Sequence, residues 1–273
     1  MIQWRLFGVL LVYVVLKGAG FPAFEVALDA FPVIFLSAIR FDIASILLLG
    51  YVFFSKTDWK PEHRGDIIAI VGGGVIAFAF STATWSLGQK MTSSALSGLM
   101  TSLLPVLTAG FAWLILPDDR LSKRELLGLL IAFFGGLIIL LPDGAVGTDA
   151  RLVGKVLMFF GVASSAFGSV LIRWARPTLP TVSQTAWALF VAAGLLHLSS
   201  LFLGEPVSES TQTFESLFAI LFMAVLVDSG GKIILFWLLQ RTSPIKINLT
   251  AYVIPMIAGI MGMYLFSETL SSM

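Results

Sequence analysis

The feature that most constrains this fold is a series of long apolar stretches separated by short polar connections. About 20 helical residues span the hydrocarbon core of a bilayer, whereas membrane β-strands are about ten residues long and alternate in polarity. Only 12% of the residues are charged and the mean hydropathy is +0.95, whereas a soluble domain carries roughly 25% charged residues. The sequence therefore predicts an all-α polytopic membrane protein.

Nine such segments can be drawn, and the connections between them are rich in Pro, Gly, Asp and Ser. We expect the first segment to be a retained span and not a cleaved signal peptide, because Lys17 interrupts it and no small-residue cleavage site follows. The predicted spans are 5–24, 31–54, 66–88, 92–116, 125–141, 153–173, 182–203, 216–239 and 246–266.

Lysine and arginine are unevenly distributed over the two sets of connections that alternate along the chain. One set holds only Lys90, Arg151 and Lys155. The other set comprises Arg5, Lys56, Lys60, Arg64, Arg120, Lys123, Arg124, Arg173, Arg176, Arg241 and Lys246. Short cytoplasmic loops of membrane proteins are enriched in positive charge. We therefore predict a cytoplasmic N-terminus and, with nine spans, an external C-terminus.

Two stretches of the chain, 87–119 and 238–269, share an ordered set of residues. The matched residues are Gln89-Lys90 and Gln240-Arg241, Thr92-Ser93 and Thr242-Ser243, Pro105 and Pro255, and Asp118 and Glu268. With nine spans the two stretches would cross the membrane in opposite directions. This pattern predicts an inverted-topology repeat, an architecture that places a substrate site near the bilayer midplane between two halves.

Both halves of the chain resemble the EamA-type transporters of the drug/metabolite transporter superfamily. The resemblance rests on "FPAFEVALDAFPVIFLSAIRFDIA" and "GLLIAFFGGLIIL" in the first half, and on "GKVLMFFGVASSAFGSVLIRWARP" and "LTAYVIPMIAGIMGMYLFSETL" in the second. It implies two five-helix repeats, over 1–141 and, inverted, over 142–273. A tenth helix matching 125–141 is expected beyond Met273, so the second repeat would lack its last helix. The resemblance also implies carriage of metabolites or drugs by alternating access.

Five ionisable residues fall well inside predicted spans: Lys17, Arg40, Asp42, Asp228 and Lys232. A charge at the centre of a membrane helix costs about 2.5–3.5 kcal/mol on insertion scales, so we expect these side chains to face protein or water. Asp228 and Lys232 lie one helical turn apart and can pair within their helix. Arg40 and Asp42 point to different sides of theirs, and they therefore need separate partners.

These charges have two interpretations. They could form ion pairs that only fix helix packing, or they could line a polar cavity in which an acid exchanges a proton for substrate and a cation holds an anionic group. Asp228 is the candidate for the titrating acid, and Lys17 either reaches the cavity or extends to the membrane surface. The five charges sum to +1, which favours a substrate with a carboxylate or phosphate.

Tryptophans, prolines and glycines within the spans give further candidates. Trp85 and Trp237 lie at nearly equivalent repeat positions, where they could pack against other helices or stack on a substrate. Prolines free carbonyl groups and can kink membrane helices. The candidate gating or kink residues are Pro105, Pro255, Gly230 and Gly231. Small residues also recur at four-residue steps, as at Gly73, Ala77 and Ser81, which predicts close helix packing.

A secondary transporter in the cell membrane is the function that these patterns favour, with a small organic solute and lipid as its partners and with no enzymatic activity. The alternatives are a non-transporting scaffold, for which a homodimer is one arrangement, or an intramembrane serine protease built on Ser229 in "DSGG" and His197. Ser229, however, lies in a predicted helix without an oxyanion loop. The sequence has no cysteine, metal-ligand spacing, nucleotide fingerprint or basic tail, so we expect no metal, cofactor or nucleic acid.

Overall fold

The computed structural model describes residues 2–28, 30–91, 100–101, 103–116, 127–128, 131, 149–205 and 212–254. Throughout these ranges the regular secondary structure is helical, in agreement with the predicted all-α class. Pro255, Asp118, Glu268 and most of the predicted spans 125–141 and 246–266 lie outside the described residues.

Eight helices and a final 3₁₀ turn follow one another in the described part of the chain. They are α1 (Ile2–Leu28), α2 (Val33–Phe54), α3 (Arg64–Lys90), α4 (Leu103–Ile115), α5 (Asp149–Ala175), α6 (Thr181–Leu203), α7 (Phe214–Arg241), α8 (Pro244–Asn248) and the turn Leu249–Tyr252. Six of them, α1 to α3 and α5 to α7, are long and apolar enough to cross a membrane. The predicted spans one to three and six to eight coincide with these helices, whereas the count of nine stays a prediction.

Two of the long helices contain a π-helical segment at their centre. In α3 it covers Gly72–Phe80, and in α7 it covers Met223–Gly230. A π-helix bonds residue i to i+5, which widens the helix and often accompanies functional sites. In α7 the segment ends directly before Gly231, so Asp228 and Lys232 lie on either side of the point where the winding changes.

The largest core forms where α2, α3, α6 and α7 meet. Phe78 of α3 makes edge-to-face contacts with Phe41 of α2 and Phe236 of α7, at centroid distances of 6.3 and 6.0 Å. Glycines let α3 approach its neighbours closely. A Cβ atom at Gly74 would lie 2.6 Å from the Ala188 carbonyl oxygen, and one at Gly73 would lie 2.6 Å from the Phe236 ring. The predicted close packing at Gly73 is therefore confirmed.

Hydrogen bonds bring the positively charged connections to one end of the bundle. Asp66, at the start of α3, accepts hydrogen bonds from the backbone N–H groups of Thr178 and Leu179 at 2.7 and 2.8 Å. At the same end, the guanidinium group of Arg173 donates to the Gln240 carbonyl oxygen at 2.7 Å. The connections that precede α3 and follow α5 and α7 therefore lie together, as the grouping of positive charges predicts.

Candidate functional site

A buried cluster of three charged side chains joins α2 to α7. Asp228 Oδ2 accepts two hydrogen bonds from Arg40, from Nε at 3.0 Å and from Nη2 at 2.8 Å. The other carboxylate oxygen accepts a hydrogen bond from Lys232, one turn along α7. The Asp228 side chain is 2% exposed, and those of Arg40 and Lys232 are each 12% exposed. The pairing of Asp228 with Lys232 is confirmed, and Arg40 shares the same carboxylate.

Aromatic rings complete the surroundings of the two cations. Lys232 Nζ lies 4.1 Å from the centroid of the Phe41 ring and 5.1 Å from that of Phe78, and the Arg40 guanidinium carbon lies 5.5 Å from the centroid of the Phe24 ring. The negative face of an aromatic ring attracts a cation, most strongly where water is excluded. Since removing a charge from water is costly, such contacts and the shared carboxylate together stabilise this buried cluster.

The cluster lines a cavity of about 320 Å³ in the centre of the bundle. Five of the side chains that the sequence singles out as cavity candidates lie on its wall: Lys17, Arg40, Trp85, Asp228 and Lys232. Gly231 lines it as well. Further polar groups come from α1 to α3, α5 and the chain after α7. They include Tyr13, Ser37, Ser86, Gln89, Ser165 and Asn248. A volume of this size suits a small organic molecule.

Lys17 differs from the other cations of the wall. It is half-buried on α1, and it forms no ion pair or side-chain hydrogen bond with any residue in the described ranges. It lies close enough to Asp228, Arg40 and Lys232 to interact with them electrostatically. Among the described lining residues Asp228 is the single carboxylate, so the three cations leave a net charge of +2 on the wall.

Asp42 does not share this cavity. Its carboxylate is hydrogen bonded to His197 Nε2 of α6 at 2.5 Å, and the side chains are 39% and 37% exposed. The ring of His197 also makes an edge-to-face contact with Phe35. Arg40 and Asp42 therefore do have separate partners, as predicted from their spacing, and only Arg40 reaches the cavity wall.

Trp237, Pro105 and Gly230, which the sequence proposes as cavity or kink residues, do not line the cavity. Trp237 lies outside the cavity lining, and Arg241 stacks over its ring at 4.2 Å from the centroid. Pro105 is buried in α4, whereas Gly230 ends the π-helical segment of α7. A Cβ atom at Gly230 would find its nearest neighbour, a carbonyl oxygen of the same helix, at 3.8 Å. Close approach of another helix among the described residues therefore does not explain this glycine.

Ser229 and His197, the residues on which an intramembrane serine protease would depend, form hydrogen bonds with different groups. The Ser229 hydroxyl donates to the Ala224 carbonyl oxygen of its own π-helical segment at 2.8 Å, and the His197 ring pairs with Asp42. A Ser–His dyad requires the histidine within hydrogen-bonding reach of the serine. The structure shows Ser229 as a residue of the π-helical winding.

Sequence reasoning missed several polar residues of the site. Asn248 donates from Nδ2 to the Thr108 hydroxyl at 2.8 Å and lines the cavity, and Tyr13 lines it from α1 with 5% exposure. The sequence could have indicated Asn248, because it places a polar amide side chain near the start of the predicted span 246–266. Tyr13 carried no charge and no repeat match that would set it apart from the packing residues of its span.

Comparisons with known proteins agree with this architecture. The model of the EamA-like transporter family matches residues 6–141 and again residues 152–273. The chain is 29% identical over 226 residues to the "Uncharacterized transporter YyaM" of Bacillus subtilis (strain 168), covering 81% of this chain and 73% of that protein. It is 27% identical over 270 residues to the "Uncharacterized inner membrane transporter YedA" of Escherichia coli (strain K12), covering 97% and 84%.

A solved crystal structure has the same fold. It superposes with a TM-score of 0.75 and 18% sequence identity, covering 95% of this chain and 88% of its own.

Proposed function

Because this chain belongs to the EamA-like transporter family, we propose that it is a secondary transporter that moves a small organic metabolite or drug across the cell membrane by alternating access. The observation that carries this proposal is the central cavity of about 320 Å³, whose wall holds the buried Arg40–Asp228–Lys232 cluster. Ionisable residues inside a membrane protein are costly and commonly mark the path of a solute or ion.

An inverted repeat of two five-helix units is part of this proposal. The family model matches the chain twice, over 6–141 and 152–273. The third long helix of each match, α3 or α7, contains a π-helical segment at its centre. Transporters with inverted repeats bind their solute at the repeat interface and rock one unit against the other. Pro105, Pro255 and the Gly230-Gly231 pair are the positions at which we expect helices to bend during that motion.

The charged cluster connects the two proposed units. Arg40 belongs to the first, whereas Asp228 and Lys232 belong to the second. When the units rock, the bond between Arg40 and Asp228 can break and re-form. Protonation of Asp228 would remove the negative charge that attracts Arg40, so a proton gradient could favour one orientation of the cavity. Trp85, on the cavity wall, would offer a stacking surface to the solute.

We propose a cytoplasmic N-terminus from the distribution of positive charge. The connections that carry Lys56, Lys60, Arg64, Arg176 and Arg241 lie at one end of the bundle, joined by Asp66 and Arg173. Positive charge is enriched in short cytoplasmic connections. A homodimer stays a prediction, and the oligomeric state in detergent would test it.

Ligand-dependent thermal stabilisation tests the transport proposal, since a ligand that binds only the folded state raises the unfolding temperature. The purified protein would be heated with amino acids, sugar phosphates, nucleosides or cationic drugs. We expect one class to stabilise the parent protein. The same class should not stabilise Ser165→Phe, in which a ring fills the cavity from α5. A stabilising solute that acts equally on Ser165→Phe would contradict binding in this cavity, and a non-transporting scaffold would respond to no class.

A further inference from the structure

The described part of the cavity wall carries an excess of positive charge, which favours an anionic solute. Lys17, Arg40 and Lys232 contribute three positive charges, and Asp228 contributes one negative charge. Asp228 already accepts hydrogen bonds from Arg40 and Lys232. A second anion in the cavity would lower the electrostatic energy of the wall, whereas a cation would raise it.

Lys17 is placed to bind that second anion. It shares one face of α1 with the lining residues Tyr13, Gly20, Phe21 and Phe24, which follow the spacing of successive turns on one side of a helix. Tyr13 precedes Lys17 by one turn and lines the same cavity. A carboxylate beside α1 could therefore accept hydrogen bonds from the Lys17 ammonium group and the Tyr13 hydroxyl.

The remainder of the wall favours an apolar solute body. Aromatic side chains from three helices line the cavity, with Phe21 on α1, Phe41 on α2, and Phe78 and Trp85 on α3. Aromatic rings bind apolar groups, and other rings, through large contact areas and preferred stacking geometries. A doubly charged phosphate would lose more hydration here than these rings could replace. A carboxylate fits both parts of the wall better.

Resting on the transporter function proposed above, we infer that the solute is a small organic carboxylate with an aromatic or similarly apolar body. Its carboxylate binds Lys17 on α1, and its body packs against the aromatic side chains that line the cavity. Asp228 acts as the resident counter-ion of Arg40 and Lys232, so that Lys17 is left to recognise the charge of the solute.

A matched series of ligands tests this inference on the purified full-length protein. Phenylacetate, phenylacetamide and phenethylamine carry the same ring with a charge of about −1, 0 and +1 at neutral pH. Isothermal titration calorimetry would measure the dissociation constant of each. We expect phenylacetate to bind about tenfold more tightly than phenylacetamide, or better, because a hydrogen bond between charged groups is about twice as strong as one between neutral groups. Phenethylamine should bind most weakly.

Three lysine variants assign the preference to Lys17. Lys17→Gln should reduce the affinity for phenylacetate to that for phenylacetamide, whereas Lys17→Arg should keep the preference for the anion. Lys60→Gln removes an exposed lysine at the end of the bundle and should change neither constant. Since Lys17 forms no ion pair in the described ranges, its substitution breaks none there, and both Lys17 variants should fold.

Several results would overturn the inference: no binding of phenylacetate, equal binding of the amide, tighter binding of the amine or of phenyl phosphate, or an anion preference that survives Lys17→Gln. The transport proposal can stand without it. If a neutral or cationic solute is transported and Ser165→Phe blocks that transport, only the substrate class is wrong. If no solute of any charge is transported, both proposals fall.

Discussion

Arg40 Nη2 lies 2.8 Å from Asp228 Oδ2, which joins α2 to α7 across 188 residues of sequence. Lys232 bonds the other oxygen of the same carboxylate, so one buried anion holds two cations from different helices. The bond connects the two parts of the chain that the family model matches separately. A contact at this place links the two parts of the bundle.

Substituting Asp228 should destabilise the protein strongly. Asp228→Asn leaves Arg40 and Lys232 beside each other without an anion, and breaking a buried ion pair in this way costs about 3–5 kcal/mol. Adding Arg40→Gln removes one of the two unpaired cations. The double variant should therefore unfold at a higher temperature than Asp228→Asn alone, as measured by the thermal midpoint in detergent. A double variant that is less stable than both single variants would show that the cluster is not held by this pairing.

The pair formed by Asp42 and His197 should matter much less for transport. Both side chains are more than one third exposed and lie outside the cavity lining. Asp42→Asn and His197→Gln should therefore transport solute at close to the parent rate in proteoliposomes. Loss of transport in both variants, with unchanged thermal midpoints, would mean that the solute or proton pathway includes this pair.

The close approach of α3 to α6 predicts different effects for two glycine substitutions. A Cβ atom at Gly74 would lie 2.6 Å from the Ala188 carbonyl oxygen, whereas one at Gly194, within α6, would find nothing within 4 Å. Gly74→Ala should cost about 1–3 kcal/mol through overpacking. Gly194→Ala should be neutral or stabilising by up to about 1 kcal/mol, because alanine favours the helix. Thermal unfolding of both variants checks the contrast, and equal midpoints would contradict the observed packing.

Glu205 should stabilise the end of the bundle opposite to Asp66. Its side chain, 6% exposed, accepts hydrogen bonds from the backbone N–H groups of Ile34 and Phe35 in the first turn of α2. An acidic acceptor at a helix N-terminus satisfies free donors and complements the helix dipole. Glu205→Ala should cost about 0.5–2 kcal/mol, the usual loss for a capping residue. The control Glu62→Ala, at an exposed position of the connection before α3, should leave the thermal midpoint nearly unchanged.

The sequence predicts the local features of this molecule well. Long apolar runs predict the six long helices, because a membrane helix must bond its own backbone and needs a minimum length. The ends of these helices are predicted less accurately. The first span is predicted to end at residue 24, but α1 continues through Pro22 to Leu28. The pairing of Asp228 with Lys232 follows from helical spacing alone, and the structure confirms it.

The contacts between distant parts of the chain could not be predicted in the same way. The periodicity of a helix says which side chains share a face, but it does not identify the helix that packs against that face. The bond from Arg40 to Asp228 and the separation of Asp42 from the cavity both depend on how α2 is rotated between α6 and α7. For this reason the sequence predicts a charge sum of +1, whereas the charged residues on the described part of the cavity wall sum to +2.

The central claim is that a solute crosses the membrane through the cavity beside Asp228 and Lys17. Uptake of the best stabilising solute into proteoliposomes, with an imposed solute gradient, tests it most directly. We expect saturable uptake by the parent protein, uptake at the level of protein-free liposomes for Ser165→Phe, and parent-like uptake for Gly194→Ala. Equal uptake by Ser165→Phe and the parent would contradict the claim, because the solute would then cross without entering this cavity.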